Sequence, residues 1–170
     1  MRNFQMSVGA NLVFARAKWL VFSILIIFLD QISKYWAVSY LNFQTPKIII
    51  PGFFNLYLDF NQGAAFSFLS QAGLWARVFF LVLAVGVSLI CLGFLIFHKN
   101  NSRFMRAGLA CLIGGALGNA IDRFRLGHVV DFIQWYCGNY FWPTFNLADS
   151  AICIGVSLII FAEFFKSKFK

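Results

Sequence analysis

Charged residues are scarce in this chain. Asp, Glu, Lys and Arg together make up 12% of its 170 residues, about half the share that soluble domains carry. Hydrophobic residues make up 61% of the sequence. This composition excludes an ordinary soluble domain and predicts an integral membrane protein. The length predicts a single domain that spans residues 1–170.

Acidic residues are the scarcer of the two charged groups. The chain has 6 acidic and 14 basic residues, which gives a net charge of +8. No basic run is interleaved with aromatic residues, so the excess does not predict nucleic-acid binding. It is better explained by basic loops held on the cytoplasmic side of a membrane. The acidic residues are Asp30, Asp59, Asp122, Asp131, Asp149 and Glu163.

Cysteine motifs are also missing. Cys91, Cys111, Cys137 and Cys153 form no Cys-x-x-Cys pair and no Cys/His cluster, so no zinc site, other metal site or cofactor is expected. Three of the cysteines lie in apolar runs and are interpreted as small core residues. Cys137 is expected in a loop.

Long apolar segments are what the sequence does have. Residues 19–41, 74–97, 104–121 and 146–165 each approach the length of about 20 residues that a membrane-spanning helix needs. The first is interpreted as a retained helix, because no small-x-small cleavage site follows its apolar core. In the connection 42–73, alternating residues and a Pro51-Gly52 turn predict short strands. The predicted fold is an all-α membrane protein, a four-helix bundle with a small β-rich extracytoplasmic segment between the first two helices.

The basic residues predict the orientation of this bundle. If the four helices alternate in direction, nine basic residues fall on one side, and that side is expected to be cytoplasmic. Both termini would then be cytoplasmic, and the connections 42–73 and 122–145 would lie outside. The nine residues are Arg2, Arg16, Lys18, Lys99, Arg103, Arg106, Lys166, Lys168 and Lys170.

Polar residues interrupt the first and third helices. Asp30 and Lys34 are four residues apart and share a helix face. They are interpreted as a mutually neutralising pair, with the orientation of a site as the alternative.

The third helix is rich in glycine. Gly114 and Gly118 have the spacing that lets helix backbones approach closely. Asn119, Asp122 and Arg123 mark its outer end, where Asp122 is expected to pair with an arginine.

Asp131 and Asp149 are the acids with the strongest argument for chemistry. Asp131 lies in a predicted loop between apolar neighbours, where its charged form is disfavoured. Asp149 has a structural alternative, because Asn146 can cap the fourth helix and an acid in the first turn complements the helix dipole. Both acids are expected on one side of the membrane at similar depth. Two such carboxylates share a proton and activate water, as in aspartic proteases. His128 is open as a helper, whereas His98 falls on the opposite side.

Five short blocks occur in a specific order along most of the chain. They are Asp30-Gln-Ile-Ser-Lys34, Asn61-Gln-Gly-Ala-Ala-Phe66, Gly114-Gly-Ala-Leu-Gly-Asn-Ala-Ile-Asp-Arg123, Val129-Val-Asp-Phe132 and Phe145-Asn-Leu-Ala-Asp149. In this order they resemble the prolipoprotein signal peptidase family, also called signal peptidase II. The departures are Ser33, where threonine is frequent, and residues 134–144, which match no pattern.

The resemblance implies an aspartic endopeptidase of the bacterial cytoplasmic membrane. Such an enzyme removes signal peptides from prolipoproteins, cutting just before a diacylglyceryl-modified cysteine near the extracytoplasmic face. Its implied partners are these substrates and membrane lipids, and the chain is expected to act as a monomer.

Matching positions imply the residues that do this work. The implied catalytic pair is Asp131 and Asp149, and Asp149 is expected to be the ionised member because it stands at a helix N-terminus. The supporting residues are Asp30, Lys34, Asn61, Gly63, Asn119, Arg123 and Asn146.

Two other function classes stay open at this point. A proton- or ion-coupled transporter would use intramembrane acids such as Asp30 and Asp149 as relay groups, although the acids cluster toward one face of the membrane. A noncatalytic assembly subunit would use the Gly114/Gly118 face to bind a partner helix.

Overall fold

A computed structural model describes residues 2–63, 73–98 and 102–168, with side chains described over 18–63, 73–98 and 102–165. Over these residues the chain forms four α-helices and one four-stranded antiparallel sheet. The helices are α1 (Arg2–Tyr40), α2 (Leu74–Phe97), α3 (Arg103–Leu126) and α4 (Leu147–Lys168). The strands are β1 (Lys47–Ile50), β2 (Phe54–Asn61), β3 (Val129–Cys137) and β4 (Tyr140–Phe141).

Some sequence predictions concern residues outside this description. Ala64, Ala65 and Phe66 of the second sequence block lie outside the described residues. So do Lys99, Lys170 and the side chains of Arg2, Arg16, Lys166 and Lys168, which contribute to the predicted orientation.

Each helix contains a stretch that is long and apolar enough to cross a membrane. Over the described residues these stretches are Lys18–Tyr40, Leu74–Phe97, Arg103–Leu126 and Leu147–Phe165. The predicted fold class is therefore confirmed. Helix α3 continues past the predicted end at residue 121 and stops at Gly127, whose φ of 83° is the left-handed conformation that ends many helices.

The two connections predicted on the outside pair to form a single sheet at one end of the bundle. Its strand order is β1-β2-β3-β4, and β2 pairs with β3 so that Asp59 lies opposite Asp131 and Asn61 lies opposite Val129. The prediction that Asp131 and Cys137 lie in a loop is wrong, because both belong to β3. Strand β3 depends on hydrogen bonds to a strand from the other connection, and these leave no local trace in the sequence.

Helix α3 is the centre of the bundle and packs on the other three helices. Its glycines allow this. A Cβ on Gly114 would lie 2.8 Å from Cβ of Ile26 in α1, and one on Gly108 would lie 2.7 Å from the backbone oxygen of Gly155 in α4. The predicted close packing is therefore confirmed. A Cβ on Gly115 would press on the backbone oxygen of Ala148, in the first turn of α4.

We expect Gly115→Ala to lower the midpoint of thermal unfolding in detergent, because the added methyl group has no space against α4. Overpacking of this kind costs about 1–3 kcal/mol. Gly93→Ala in α2 is the matched control, since nothing lies within 4 Å of its added Cβ and alanine favours a helix by about 1 kcal/mol over glycine. Equal midpoints for the two variants would contradict the account of the α3–α4 contact.

Candidate active site

The N-terminus of α4 is closed by two residues that bond to each other. Oδ1 of Asn146 accepts a hydrogen bond from the backbone N–H of Asp149 at 2.9 Å. In return, Oδ2 of Asp149 accepts one from the backbone N–H of Asn146 at 3.2 Å. This arrangement satisfies N–H groups that have no partner within the helix. The predicted cap is confirmed, and it holds the Asp149 carboxyl group at the mouth of the helix.

Asp131 projects from β3 toward the same residue. Nδ2 of Asn146 donates to Oδ1 of Asp131 at 2.7 Å, and Nδ2 of Asn61 in β2 donates to Oδ2 at 3.1 Å. Asp131 is only 1% exposed, whereas Asp149 is half-buried. Asn146 therefore contacts both carboxyl groups, one through its side chain and the other through its backbone.

Asn119 supports this pair from α3. Its Nδ2 donates to Oδ1 of Asp149 at 2.7 Å. Its Oδ1 accepts from Nδ2 of Asn146 at 3.2 Å and from Nζ of Lys34 at 2.9 Å. Both carboxyl oxygens of Asp149 therefore accept a hydrogen bond, one from Asn119 and the other from the backbone of Asn146.

Lys34 lies beneath the two aspartates in a buried ion cluster. Its Nζ is 2.9 Å from Oδ2 of Asp30 and 2.8 Å from Oδ2 of Asp122. The predicted Asp30–Lys34 pair is confirmed. The prediction that Asp122 pairs with an arginine is wrong, because its cation comes from α1 rather than from the neighbouring turn of α3.

Arg123 instead holds the turn that follows β2. Its Nη2 donates to the backbone oxygen of Gly63 at 2.9 Å, and its guanidinium carbon lies 4.9 Å from the centre of the Phe80 ring. The N–H of Gly63 donates to Oδ1 of Asn61 at 3.0 Å. This chain of contacts orients Asn61, so that its Nδ2 is directed at Asp131.

The surroundings of Asp131 favour its protonated form. Burial raises the pKa of Asp131 to about 7, and the negative charge of Asp149 contributes to the increase. Hydrogen bonds from Asn61 and Asn146 and the charge of Lys34 oppose it. The carboxyl group of Asp131 can therefore carry a proton near neutral pH.

All nine site residues predicted from the sequence belong to one connected set of hydrogen bonds and ion pairs. The set has two further members, Asp122 and Gln31. Nε2 of Gln31 donates to Oδ1 of Asp122 at 2.9 Å and to Oδ2 of the adjacent Asp30 at 3.2 Å. The sequence does not predict a role for Gln31, because it lies 91 positions from Asp122, on a different helix. His128 packs against the Phe60 ring at 4.4 Å, and burial lowers its pKa.

Residues 22–165 match the family model described as "Signal peptidase (SPase) II". The chain belongs to the signal peptidase II family. It is 51% identical to a lipoprotein signal peptidase of Xylella fastidiosa (strain M12) over 154 residues, which cover 88% of this chain and 90% of that protein. It is 50% identical over 151 residues to a lipoprotein signal peptidase of Xanthomonas euvesicatoria pv. vesicatoria (strain 85-10), covering 88% of this chain and 87% of the relative.

The fold also occurs in solved structures. A structure described as a bacterial membrane enzyme superposes with a TM-score of 0.80 at 34% sequence identity, over 91% of this chain and 92% of that one. Signal peptidase II proteins are bacterial membrane proteases that process prolipoproteins, so this chain is a hydrolase of the membrane.

We expect Asp131 to titrate near pH 7 in the purified protein. Carbon-13 NMR of protein labelled at its aspartates, in detergent, measures this pKa, and Asp131→Asn identifies the signal. Asn61→Ala should raise the pKa further, because the variant removes a hydrogen bond that stabilises the charged form. Asn55→Ala on the same strand, where the lost bond goes to Gln134, should leave it in place. An unchanged or lowered pKa in Asn61→Ala would contradict this electrostatic account.

Proposed function

We propose that this signal peptidase II removes the signal peptide of bacterial prolipoproteins by aspartic chemistry, cutting just before a diacylglyceryl-modified cysteine. The observation that carries the proposal is the contact of Asn146 with both carboxyl groups, at 2.7 Å to Asp131 and 3.2 Å to Asp149. A single residue thereby holds two acids from different elements in one site. The raised pKa of Asp131, about 7, supports a carboxyl group that can bring a proton to the reaction.

Asp149 acts as the general base in the proposed mechanism. It takes a proton from a water molecule, which attacks the carbonyl carbon of the scissile peptide bond. The N-terminus of α4 and the hydrogen bond from Asn119 stabilise its negative charge. Asp131, which is protonated at the start, donates its proton to the carbonyl oxygen or to the leaving nitrogen. The pair titrates jointly, so these are the dominant forms and not fixed identities.

The position of the site suits a lipidated substrate. The aspartates lie where the sheet meets the end of the helix bundle, at the level where apolar helix gives way to strand. A precursor could keep its diacylglyceryl chains in the bilayer while its peptide bond reaches this level. Exposed aromatic residues in the sheet and in the residues next to its strands, including Trp135, Phe53 and Trp142, support a location at the membrane–water interface.

The proposed orientation places this end of the bundle outside the cytoplasm and both termini inside. Lys18 begins the apolar stretch of α1, and Arg103 and Arg106 lie in the first turn of α3. These are the ends of the two apolar stretches that are farthest from the sheet, as expected for the cytoplasmic side. In this proposal the chain acts as a single-domain monomer in the bacterial cytoplasmic membrane, in contact with its lipids. The chemistry uses no metal and no cofactor.

We expect Asp131→Asn and Asp149→Asn each to lower kcat by about 100-fold or more on a diacylglyceryl-modified precursor in detergent, because each removes a group that transfers a proton. Glu163→Gln is the matched control. It makes the same carboxylate-to-amide change on α4, about 21 Å along the helix from Asp149 at 1.5 Å per residue. Cleavage near the wild-type rate by either aspartate variant would overturn the proposed pair.

The same assay separates the proposal from the other function classes. Cleavage by the purified single chain, without an ion gradient, rules out transport or subunit assembly as the main activity. Addition of a chelator should leave the rate unchanged, and a chelator-sensitive rate would contradict a mechanism that relies on the two carboxyl groups alone.

A further inference from the structure

The residues just before the two proposed catalytic aspartates are held in the same way. The backbone N–H of Val130, which precedes Asp131, donates to Oδ2 of Asp122 at 3.2 Å. The backbone N–H of Ala148, which precedes Asp149, donates to Oδ1 of Asp30 at 2.9 Å. In both β3 and α4, a buried carboxylate therefore binds the backbone of the residue that precedes the proposed catalytic aspartate.

These two carboxylates belong to one buried cluster. Asp30 is 0% exposed, Lys34 3% and Asp122 3%, and Nζ of Lys34 bridges the two acids at 2.9 and 2.8 Å. Nε2 of Gln31 forms a second bridge, at 3.2 Å to Oδ2 of Asp30 and 2.9 Å to Oδ1 of Asp122. The cluster thereby joins α1 and α3 beneath both aspartates.

Space for this cluster is built into α3. A Cβ on Gly118 would lie 2.8 Å from Oδ2 of Asp30, so only glycine lets the carboxylate reach the first turn of α4. The backbone oxygen of Gly118 also accepts from Nε2 of Gln31 at 3.2 Å.

We infer that Asp122 and Gln31 are positioning residues for cleavage: with Asp30 and Lys34 they form a buried clamp that sets the spacing of Asp131 and Asp149 through the N–H groups of Val130 and Ala148. This inference rests on the proposed function. The clamp touches the backbones that carry the aspartates and so acts through them on the reacting groups.

An amide side chain at position 122 cannot accept all the hydrogen bonds that Asp122 accepts. Asp122 receives Lys34 and Val130 on Oδ2 and Gln31 on Oδ1. An asparagine has a single acceptor oxygen, so in Asp122→Asn an N–H group must face a donor at one of these contacts. The Val130 tether weakens or Gln31 is displaced, and either change alters the spacing of the aspartates.

The clamp also contributes charge. In Asp122→Asn the negative charge near Asp131 decreases, and the charge of Lys34, which already lowers the pKa of Asp131, is less compensated. The pKa of Asp131 should therefore fall in this variant. The titratable groups on the surrounding elements are Asp30 and Lys34 of α1, Asp59 of β2, Asp122 and Arg123 of α3, His128 before β3 and Asp149 of α4.

The test uses the full-length protein in detergent with a diacylglyceryl-modified precursor. For Asp122→Asn we expect kcat to fall by about 10- to 100-fold, as for a small misplacement of reacting groups, with KM unchanged and a lower pKa of Asp131 by carbon-13 NMR. Gln31→Met keeps the length of the side chain and removes its donors, so kcat should fall by about two- to tenfold, the effect of one hydrogen bond. This milder variant decides the question if Asp122→Asn does not fold.

The double variant Gln31→Met/Asp122→Asn makes the test sharper. Methionine removes the donor that an asparagine at position 122 would face, so the loss in kcat should be smaller than the product of the two single losses. Gln134→Met is the matched control: it removes an amide that bonds to Asn55 within the sheet, and its kcat should equal that of the wild type.

Distinct results overturn the inference and the proposed function. If Asp131→Asn is inactive while Gln31→Met and Asp122→Asn keep wild-type kcat, the clamp is overturned and the proposed function stands. Multiplicative losses with an unchanged pKa of Asp131 would also overturn the clamp, since they indicate a general loss of structure. If Asp131→Asn is active, the proposed function is overturned, and this inference with it.

Discussion

The cap at the start of α4 is the interaction on which the rest of the site depends. Asn146 closes the helix with its Oδ1, donates to Asp131 with its Nδ2 and donates to Asp149 with its backbone N–H. Any shift of this residue would move the helix start and both carboxyl groups together. Its own place is fixed by close contact of the next turn with Gly115 and by the hydrogen bond from Ala148 to Asp30. A common helix cap thus becomes the junction between two proposed catalytic groups.

The apolar surroundings of the site constrain its charged groups. A buried polar group without a partner is costly, and a buried charge more so. Lys34 therefore places its three donors on Asp30, Asp122 and Asn119. The same low polarity that requires these partners also raises the pKa of Asp131 to about 7. Burial therefore has two effects here. It holds Lys34 and its partners in one arrangement, and it favours the protonated form of Asp131.

The sequence predicts the helices and the cap of α4 better than it predicts the strand that carries Asp131 and the ion pairs beneath it. Twenty-residue apolar runs are a local property, so the four spans follow from composition. The cap at Asn146 is local too, because it depends on residues three apart.

Strand β3 is not a local feature, since its hydrogen bonds go to β2 across two helices. The partner of Asp122 is likewise distant, since Lys34 lies in α1. Arg123 and Arg125, one and three residues after Asp122, form no ion pair with it in the part of the chain that the structure describes. Gln31 has no periodic relation to any acid and becomes visible only in three dimensions.

The pH dependence of kcat/KM for the wild-type protein, measured on a diacylglyceryl-modified precursor, tests the central claim most directly. This quantity reports the protonation of the free enzyme. If Asp131 must enter the reaction with a proton, kcat/KM falls as the pH rises through about 7, where the buried carboxyl group ionises. A value of kcat/KM that stays level or increases from pH 6 to pH 9 would contradict the account, because the enzyme would then work with both carboxyl groups ionised.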